Sequence, residues 1–167
     1  MTQTRIRLLV LLTAFLLTAL AAQAQQPGAT KEIKKDFIML ERGACFGTCP
    51  IYKVTVESDG RVTFEGFNYT KIKGKATARI KRSAFTKLAR EFDKLKYFSL
   101  DDKYEPGTPN CGRSATDMPY VRSSIQFKGK MKSISHYQGC LSSEIVRSLF
   151  ALDRRIDQVA GTAKWIK

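Results

Sequence analysis

Alternation and helical spacing divide the chain into recognisable elements. In Ile51–Glu57, Tyr52, Val54 and Val56 alternate with Lys53, Thr55 and Glu57. In Arg61–Phe67, Val62, Phe64 and Gly66 alternate with Arg61, Thr63 and Glu65. A period of two marks half-buried strands, and the two runs predict a hairpin. A two-residue Asp59-Gly60 turn would set apolar positions against polar ones throughout. A three-residue loop, Ser58-Asp59-Gly60, pairs Val56 with Val62, Val54 with Phe64 and Lys53 with Glu65. It also places Gly60 where a left-handed backbone is needed. Since a one-residue slip would turn a buried face outward, the longer loop is expected.

Asp36–Glu41 reads as a first strand and Ala76–Lys81 as a further one. Phe85, Leu88, Phe92 and Leu95 recur at helical spacing, predicting a helix capped by Ser83 and reaching about Leu95. Ser99–Pro119 is irregular and holds Pro106, Gly107, Pro109 and Gly112; Cys111 argues that it is pinned. Tyr120–Phe127 and Met131–Tyr137 predict a second hairpin around Gly129. Ile145, Leu149, Leu152, Ile156 and Val159 form the stripe of a last helix, with Ser142 as its cap and Leu141 stapled onto Val146. The expected fold is α+β, a mainly antiparallel sheet built from two hairpins and packed by two helices. It occupies residues 36–167 as one domain, behind a polar, flexible lead-in at residues 25–35.

The amino terminus follows a different pattern. Arg5 and Arg7 precede a 15-residue uncharged run, Leu8–Ala22, and Ala22-Gln23-Ala24 supplies small residues at the cleavage positions. This is the layout of a secretory signal, expected to be cleaved after Ala24. As a helix the apolar run would cover only about 22 Å, short of a roughly 30 Å hydrocarbon core. A periplasmic or secreted protein is expected, with no transmembrane segment in the mature chain.

Export changes how the four cysteines read. Cys45, Cys49, Cys111 and Cys140 all lie in the mature chain, and an even set in an oxidising compartment implies two disulfides. Three pairings exist. Cys45–Cys49 with Cys111–Cys140 is preferred, because Gly43, Gly47 and Pro50 supply a turn around the first pair. The second pair would tie the irregular segment to the start of the last helix, contributing roughly 3 kcal/mol. A four-thiolate zinc site or a redox dithiol are the alternatives. C-x3-C matches neither the usual zinc knuckles nor the thioredoxin-like C-x-x-C.

CFGTCPIYKVTVESDGRVTFEG resembles the opening of an uncharacterised family of exported bacterial proteins, a family of unknown function. Thr116-Asp117-Met118-Pro119 and the closing Gly161–Ile166 (GTAKWI) carry the same resemblance. The family pattern is a C-F-G-x-C-P-x-Y start, a D-G hairpin, a T-D-x-P element and a late tryptophan. The similarity spans Phe37 to Ile166. It implies a single exported bacterial domain and transfers no catalytic residue. Cys111 and Cys140 fall outside the pattern.

Candidate chemistry is sparse. His136 is the only histidine and sits in a predicted strand. No serine-nucleophile elbow or H-E-x-x-H appears. Asp101, Asp102, Glu105 and Asp117 lie in or beside the irregular segment, where a carboxylate pair could in principle work as in glycosidases. Solvated acids are the simpler reading. No cofactor or metal is implied.

Charge is more informative. The chain carries 29 Lys+Arg against 15 Asp+Glu, for a formal charge of +14. Loss of the leader with its two arginines leaves 27 against 15, or +12. Gly66–Arg90 holds eight cations and no acid, including Lys71, Lys73, Lys75, Arg79, Lys81 and Arg82, which are the candidate anion-binding residues. Outside the cytoplasm the expected partners are an anionic glycan, a lipid headgroup or an acidic protein; nucleic acid is disfavoured. The expected function is a small exported non-catalytic domain binding an anionic envelope surface or partner. The alternative is a periplasmic carboxylate-based hydrolase or thiol-redox enzyme.

Overall fold

The computed structural model describes residues 35–167. The expected leader, residues 1–24, and all but the last residue of the lead-in at 25–35 lie outside the described residues. The strands are β1 (Phe37–Arg42), β2 (Ile51–Glu57), β3 (Arg61–Asn68), β4 (Gly74–Arg79), β5 (Lys103–Tyr104), β6 (Tyr120–Phe127) and β7 (Lys130–Tyr137). They form one sheet in the order β4-β3-β2-β1-β6-β7-β5. Helices α1 (Arg82–Lys94), α2 (Glu144–Ala160) and the one-turn α3 (Ala163–Ile166) complete an α+β fold.

Both expected hairpins form, but they do not pair with each other. β1 lies between them and bonds to both, setting Ile38 against Val56 on one side and Ile125 on the other. Its Ile38 and Leu40 are buried at the middle of the sheet, which is why so short a strand can join two hairpins. β4 extends the sheet beyond β3, while β5 pairs with β7 in parallel, the one parallel contact in an otherwise antiparallel sheet.

The first hairpin has the three-residue loop: Val56 faces Val62, Val54 faces Phe64 and Lys53 faces Glu65. Gly60 has φ +87°. The Arg61 amide donates to Asp59 Oδ1 (2.9 Å) and the Lys35 ammonium to Oδ2 (3.1 Å), holding the Asp59 carboxyl down to about 2. The second hairpin closes through Lys128 and Gly129, both with positive φ, a geometry whose twist suits a two-residue turn.

One face of the sheet carries Ile38, Leu40, Val54, Val56, Val62, Phe64, Ile125 and Ile134, all fully buried. Phe85, Leu88 and Phe92 of α1 and Val146, Leu149 and Ile156 of α2 join them in the core. A salt bridge from Arg155 to Glu91 (3.0 Å) links the two helices. The opposite face is polar, with Thr55, Thr63 and Thr77 along one row and Lys75, Glu65, Lys53, Glu41 and Arg122 alternating in sign along the next.

Both helix starts differ from the sequence expectation. α1 begins at Arg82 with Lys81 at the cap position and no side-chain cap. The Ile80 amide bonds to Gly60 O (2.8 Å), so the hairpin loop turns the chain into the helix before Ser83 is reached. In α2 the cap is Ser143, whose hydroxyl accepts from Val146 N (3.3 Å). Ser142 is engaged elsewhere: its hydroxyl accepts from Arg113 N and donates to Cys111 O. Leu141 is exposed, so the staple is not made.

A Cβ on Gly60 would strike the Ile80 carbonyl oxygen in addition to requiring positive φ, whereas a Cβ on Gly129 meets nothing. Gly60→Ala is therefore expected to cost about 2–3 kcal/mol in urea unfolding and Gly129→Ala about 1 kcal/mol. Equal losses would refute the tether between the hairpin loop and α1.

Candidate functional site

The two ends of the sheet are built differently. One end has the tight turns at 58–60 and 128–129, the run-in to β1 at Lys35–Asp36 and the entry to α1. The other gathers the β1–β2 connection (43–50), the β3–β4 connection (69–73), the segment from β5 to β6 and the chain leaving β7. Both disulfides are at this second end: Cys45–Cys49 and Cys111–Cys140, the preferred pairing. All four cysteines are thus bonded.

The Cys45–Cys49 bridge closes a five-residue loop with Phe46 at its tip, 88% exposed. The loop is held from one side by β6 and the residues before it. Gly43 N donates to Tyr120 O (2.9 Å) and Phe46 N to Asp117 O (3.2 Å). Gly43 is needed here, since a Cβ would come within 3.0 Å of the Tyr120 oxygen. The T-D-M-P segment is in turn held by β7: Met118 N donates to the Tyr137 hydroxyl (3.0 Å), and Gln138 N to Pro119 O (3.0 Å). Ala115 N donates to Gly139 O (2.9 Å), and Ser114 bridges Cys140 beside the buried second disulfide. The long segment is pinned, as Cys111 implied.

The base of the Phe46 loop is fixed by a partly buried polar cluster that the sequence reading missed. Arg42 ends β1 and Tyr52 begins the buried row of β2, so they flank the loop. Arg42 Nη2 donates to Asp157 Oδ2 (2.7 Å), and the Tyr52 hydroxyl donates to Oδ1 (2.6 Å). Thr162 Oγ1 also donates to Oδ1 (2.9 Å). Arg42 Nε reaches both the Tyr52 oxygen (2.9 Å) and Oδ2 (3.1 Å). Burial opposes the Arg42 charge, but Tyr52 and Asp157 outweigh it and its pKa is raised. Burial, opposed by Arg42, pushes the Tyr52 hydroxyl up, so it stays a donor.

Asp157 lies near the end of α2, which closes on Gly161 at φ +68° with its amide bonded to Asp157 O (2.9 Å). That turn starts α3, whose Trp165 stacks on Phe64 at 5.0 Å and accepts from Ile72 N through its carbonyl (3.1 Å). The carboxyl-terminal turn therefore braces the β3–β4 connection.

His136 is fully buried, with Nε2 2.7 Å from Asp153 Oδ2 of α2, itself fully buried. Its ring packs edge-on against Phe150. Enclosed in this way, it has no access to a substrate. Asp153 and Asp157 were detectable in principle: they fall four residues apart on the apolar stripe with Leu149, Ile156 and Ala160, and a carboxylate there must find a buried partner.

Three of the four acids in or beside the irregular segment are engaged with different neighbours. Asp101 accepts from Asn110 Nδ2 (3.0 Å), Asp102 pairs with Lys132, and Asp117 accepts from Thr116 Oγ1 (3.0 Å).

The six candidate cations form a stripe along one edge. Lys71 and Lys73 are in the β3–β4 connection and Lys75 opens β4; Arg79 ends that strand, and Lys81 and Arg82 lead into α1. The facing ends of the two triplets, Lys75 and Arg79, are four strand residues apart, roughly 14 Å at about 3.4 Å per residue. All six are exposed and, among the described residues, none has an ion-pair partner, whereas Lys35, Lys53, Arg61 and Lys132 are paired. Because Trp165 docks beside Ile72, α3 adds Lys164 and Lys167 near the Lys71–Lys73 end, a convergence that chain order concealed. Lys164 Nζ lies 4.3 Å over the Trp165 ring.

Removing the Asp157 carboxylate would strand Arg42. Asp157→Ala is expected to cost on the order of 3 kcal/mol in chemical denaturation, and Asp157→Asn, which keeps an acceptor, about 1–2 kcal/mol. Indistinguishable losses would show that the charge is not what holds the loop base.

No helix among the described residues is long and apolar enough to cross a membrane. No curated protein matches the chain. A family described as a domain of unknown function, DUF6438, matches residues 36–160, from just before β1 to the end of α2. With all seven strands and both long helices inside that match, the chain belongs to the DUF6438 family.

Proposed function

We propose that this is an exported, non-catalytic binding domain that engages an anionic partner of the cell envelope through the β4 edge and the β3–β4 connection. The observation that carries the reading is the row of six exposed cations without acidic partners among the described residues. Part of that row has a structural use, since charge on an outer strand discourages pairing with another chain. Lys75 and Arg79 serve this purpose on β4. Lys71 and Lys73 lie outside the strand, Lys81 and Arg82 lie beyond it, and α3 adds two more cations, so edge protection does not account for the whole stripe.

Two bonded disulfides fit an oxidising compartment. They also leave the thiol-redox alternative with one accessible pair, Cys45–Cys49, because Cys111 and Cys140 are each 1% exposed. The hydrolase alternative would need two convergent carboxylates, and three of its four candidates, Asp101, Asp102 and Asp117, bond to three different neighbours.

The purified protein is expected to be retained on immobilised heparin, a soluble polyanion, and released before about 1 M salt, where the screening length is roughly 3 Å. Lys71→Ala/Lys73→Ala/Lys75→Ala should elute at distinctly lower salt with unchanged thermal stability. Failure of the wild-type protein to bind, or retention indifferent to salt, would overturn the proposal.

A further inference from the structure

Seven large apolar side chains are exposed among the described residues: Phe46, Phe67, Tyr69, Met118, Tyr120, Leu141 and Met131. Six of the seven are at the disulfide-bonded end of the sheet; Met131, at the start of β7, is the exception. Such segregation is unusual for a soluble surface, where exposed apolar residues are ordinarily scattered singly. We infer that this end of the sheet is a docking surface for an anionic phospholipid bilayer, with Phe46, Phe67 and Tyr69 entering the interfacial layer and Lys71 and Lys73 meeting the phosphates.

The inference rests on the proposed anionic reading and names its partner. Phe67 and Tyr69 lead directly into Lys71 and Lys73, so apolar and cationic groups share one short stretch of chain. Phe46 rises from the connection between β1 and β2, whose β2 root neighbours β3 at about 4.8 Å, while the Phe46 N–Asp117 O bond inclines the loop toward the segment before β6. Phe46 is a protruding tip, 88% exposed, and not the wall of a groove. A protein partner would need a pocket shaped to receive it. The bilayer interface accepts a protruding aromatic without one, and favours amphipathic Tyr at headgroup depth. A soluble polyanion or glycan chain would reward the lysines and leave Phe46 in water. The Cys45–Cys49 bridge and the Phe46 N–Asp117 O bond hold the tip in place, so docking orders little chain. Asp117 is an acid near this tip, and Glu144, paired with Arg147, opens α2 after the chain leaves β7. The footprint therefore spans the end of the sheet from Phe46, beside the segment before β6, to β4, where the lysines lie.

The test is co-sedimentation with phosphatidylglycerol-containing vesicles, with pure phosphatidylcholine vesicles and heparin as comparisons. Wild-type protein should sediment with the anionic vesicles and not the neutral ones. Phe46→Ala/Phe67→Ala should weaken vesicle binding about tenfold or more, the value of burying one aromatic side chain, while heparin elution stays the same. Lys71→Ala/Lys73→Ala should weaken both. Phe46→Trp should shift its emission to the blue on anionic vesicles, an effect heparin should not produce. All these side chains are exposed, so unchanged melting temperatures verify the fold. If the Phe variants bind vesicles like wild type while the Lys variants do not, the bilayer inference fails and the anionic reading survives. Binding to an acidic envelope protein but to no vesicle also overturns the inference. Absence of binding to both heparin and vesicles would remove the underlying reading itself.

Discussion

One carboxylate organises the disulfide-bonded end of this molecule. Asp157 takes hydrogen bonds from Arg42, Tyr52 and Thr162, and so joins the end of β1, the start of β2 and the turn between α2 and α3. Each donor comes from a different element, and none could satisfy the charge alone. The loop that carries Phe46 springs from between Arg42 and Tyr52, so its base is as rigid as this cluster. The same cluster fixes where α3 begins, and through Trp165 it fixes the β3–β4 connection. A partly buried ion pair gives little net stability when its desolvation is counted. What it supplies here is geometry: three loops held in one arrangement by a group that tolerates few alternatives.

A second polar pair lies deeper. His136 and Asp153 face each other across the β7–α2 contact with no solvent access, and His136 Nδ1 and Asp153 Oδ1 find no partner among the described residues. Nearby, the Tyr97 hydroxyl donates to Ser123 O (2.7 Å), and burial pushes that hydroxyl up so that it remains a donor. Ser123 and His136 occupy inward positions of β6 and β7, where Ile or Val would pack without cost to polarity. They set β6 and β7 apart from the apolar side of the sheet formed by β1 to β3. A histidine so enclosed acts through packing and pairing with α2, in keeping with its place among strand residues.

Much of this was legible from residue order. The first hairpin could be read to the residue, because both its faces are strongly contrasted and only one loop length keeps them apart. The cysteine pairing followed from compartment and turn chemistry. Other features depend on contacts that no local pattern encodes. β5 is two residues long and exists only because Cys111–Cys140 and β7 hold that stretch in place, so it has no periodicity to detect. The central position of β1 is a matter of topology, and the two hairpins look like neighbours until its second partner is known. Helix starts were misplaced, by two residues at α1 and one at α2, because competing hydrogen bonds intervene: Ile80 N to Gly60 O turns the chain into α1 before Ser83, and Ser142 is taken by Arg113 N and Cys111 O, leaving Ser143 to cap α2. The cationic candidates were visible as residue types, but their layout as a stripe, extended by Lys164 and Lys167, needed the fold.

Both covalent bridges reinforce the same pole, and nothing comparable spans the turns at the other. A reductant would therefore act on the molecule unevenly. Loops around Cys45 and Cys111 would gain freedom first, while the hairpin tips at Gly60 and Gly129, held by turn geometry and non-covalent bonds, would keep their form. The sheet would survive as a scaffold whose presenting end had gone slack, linking the redox state of the surroundings to how firmly this surface is displayed.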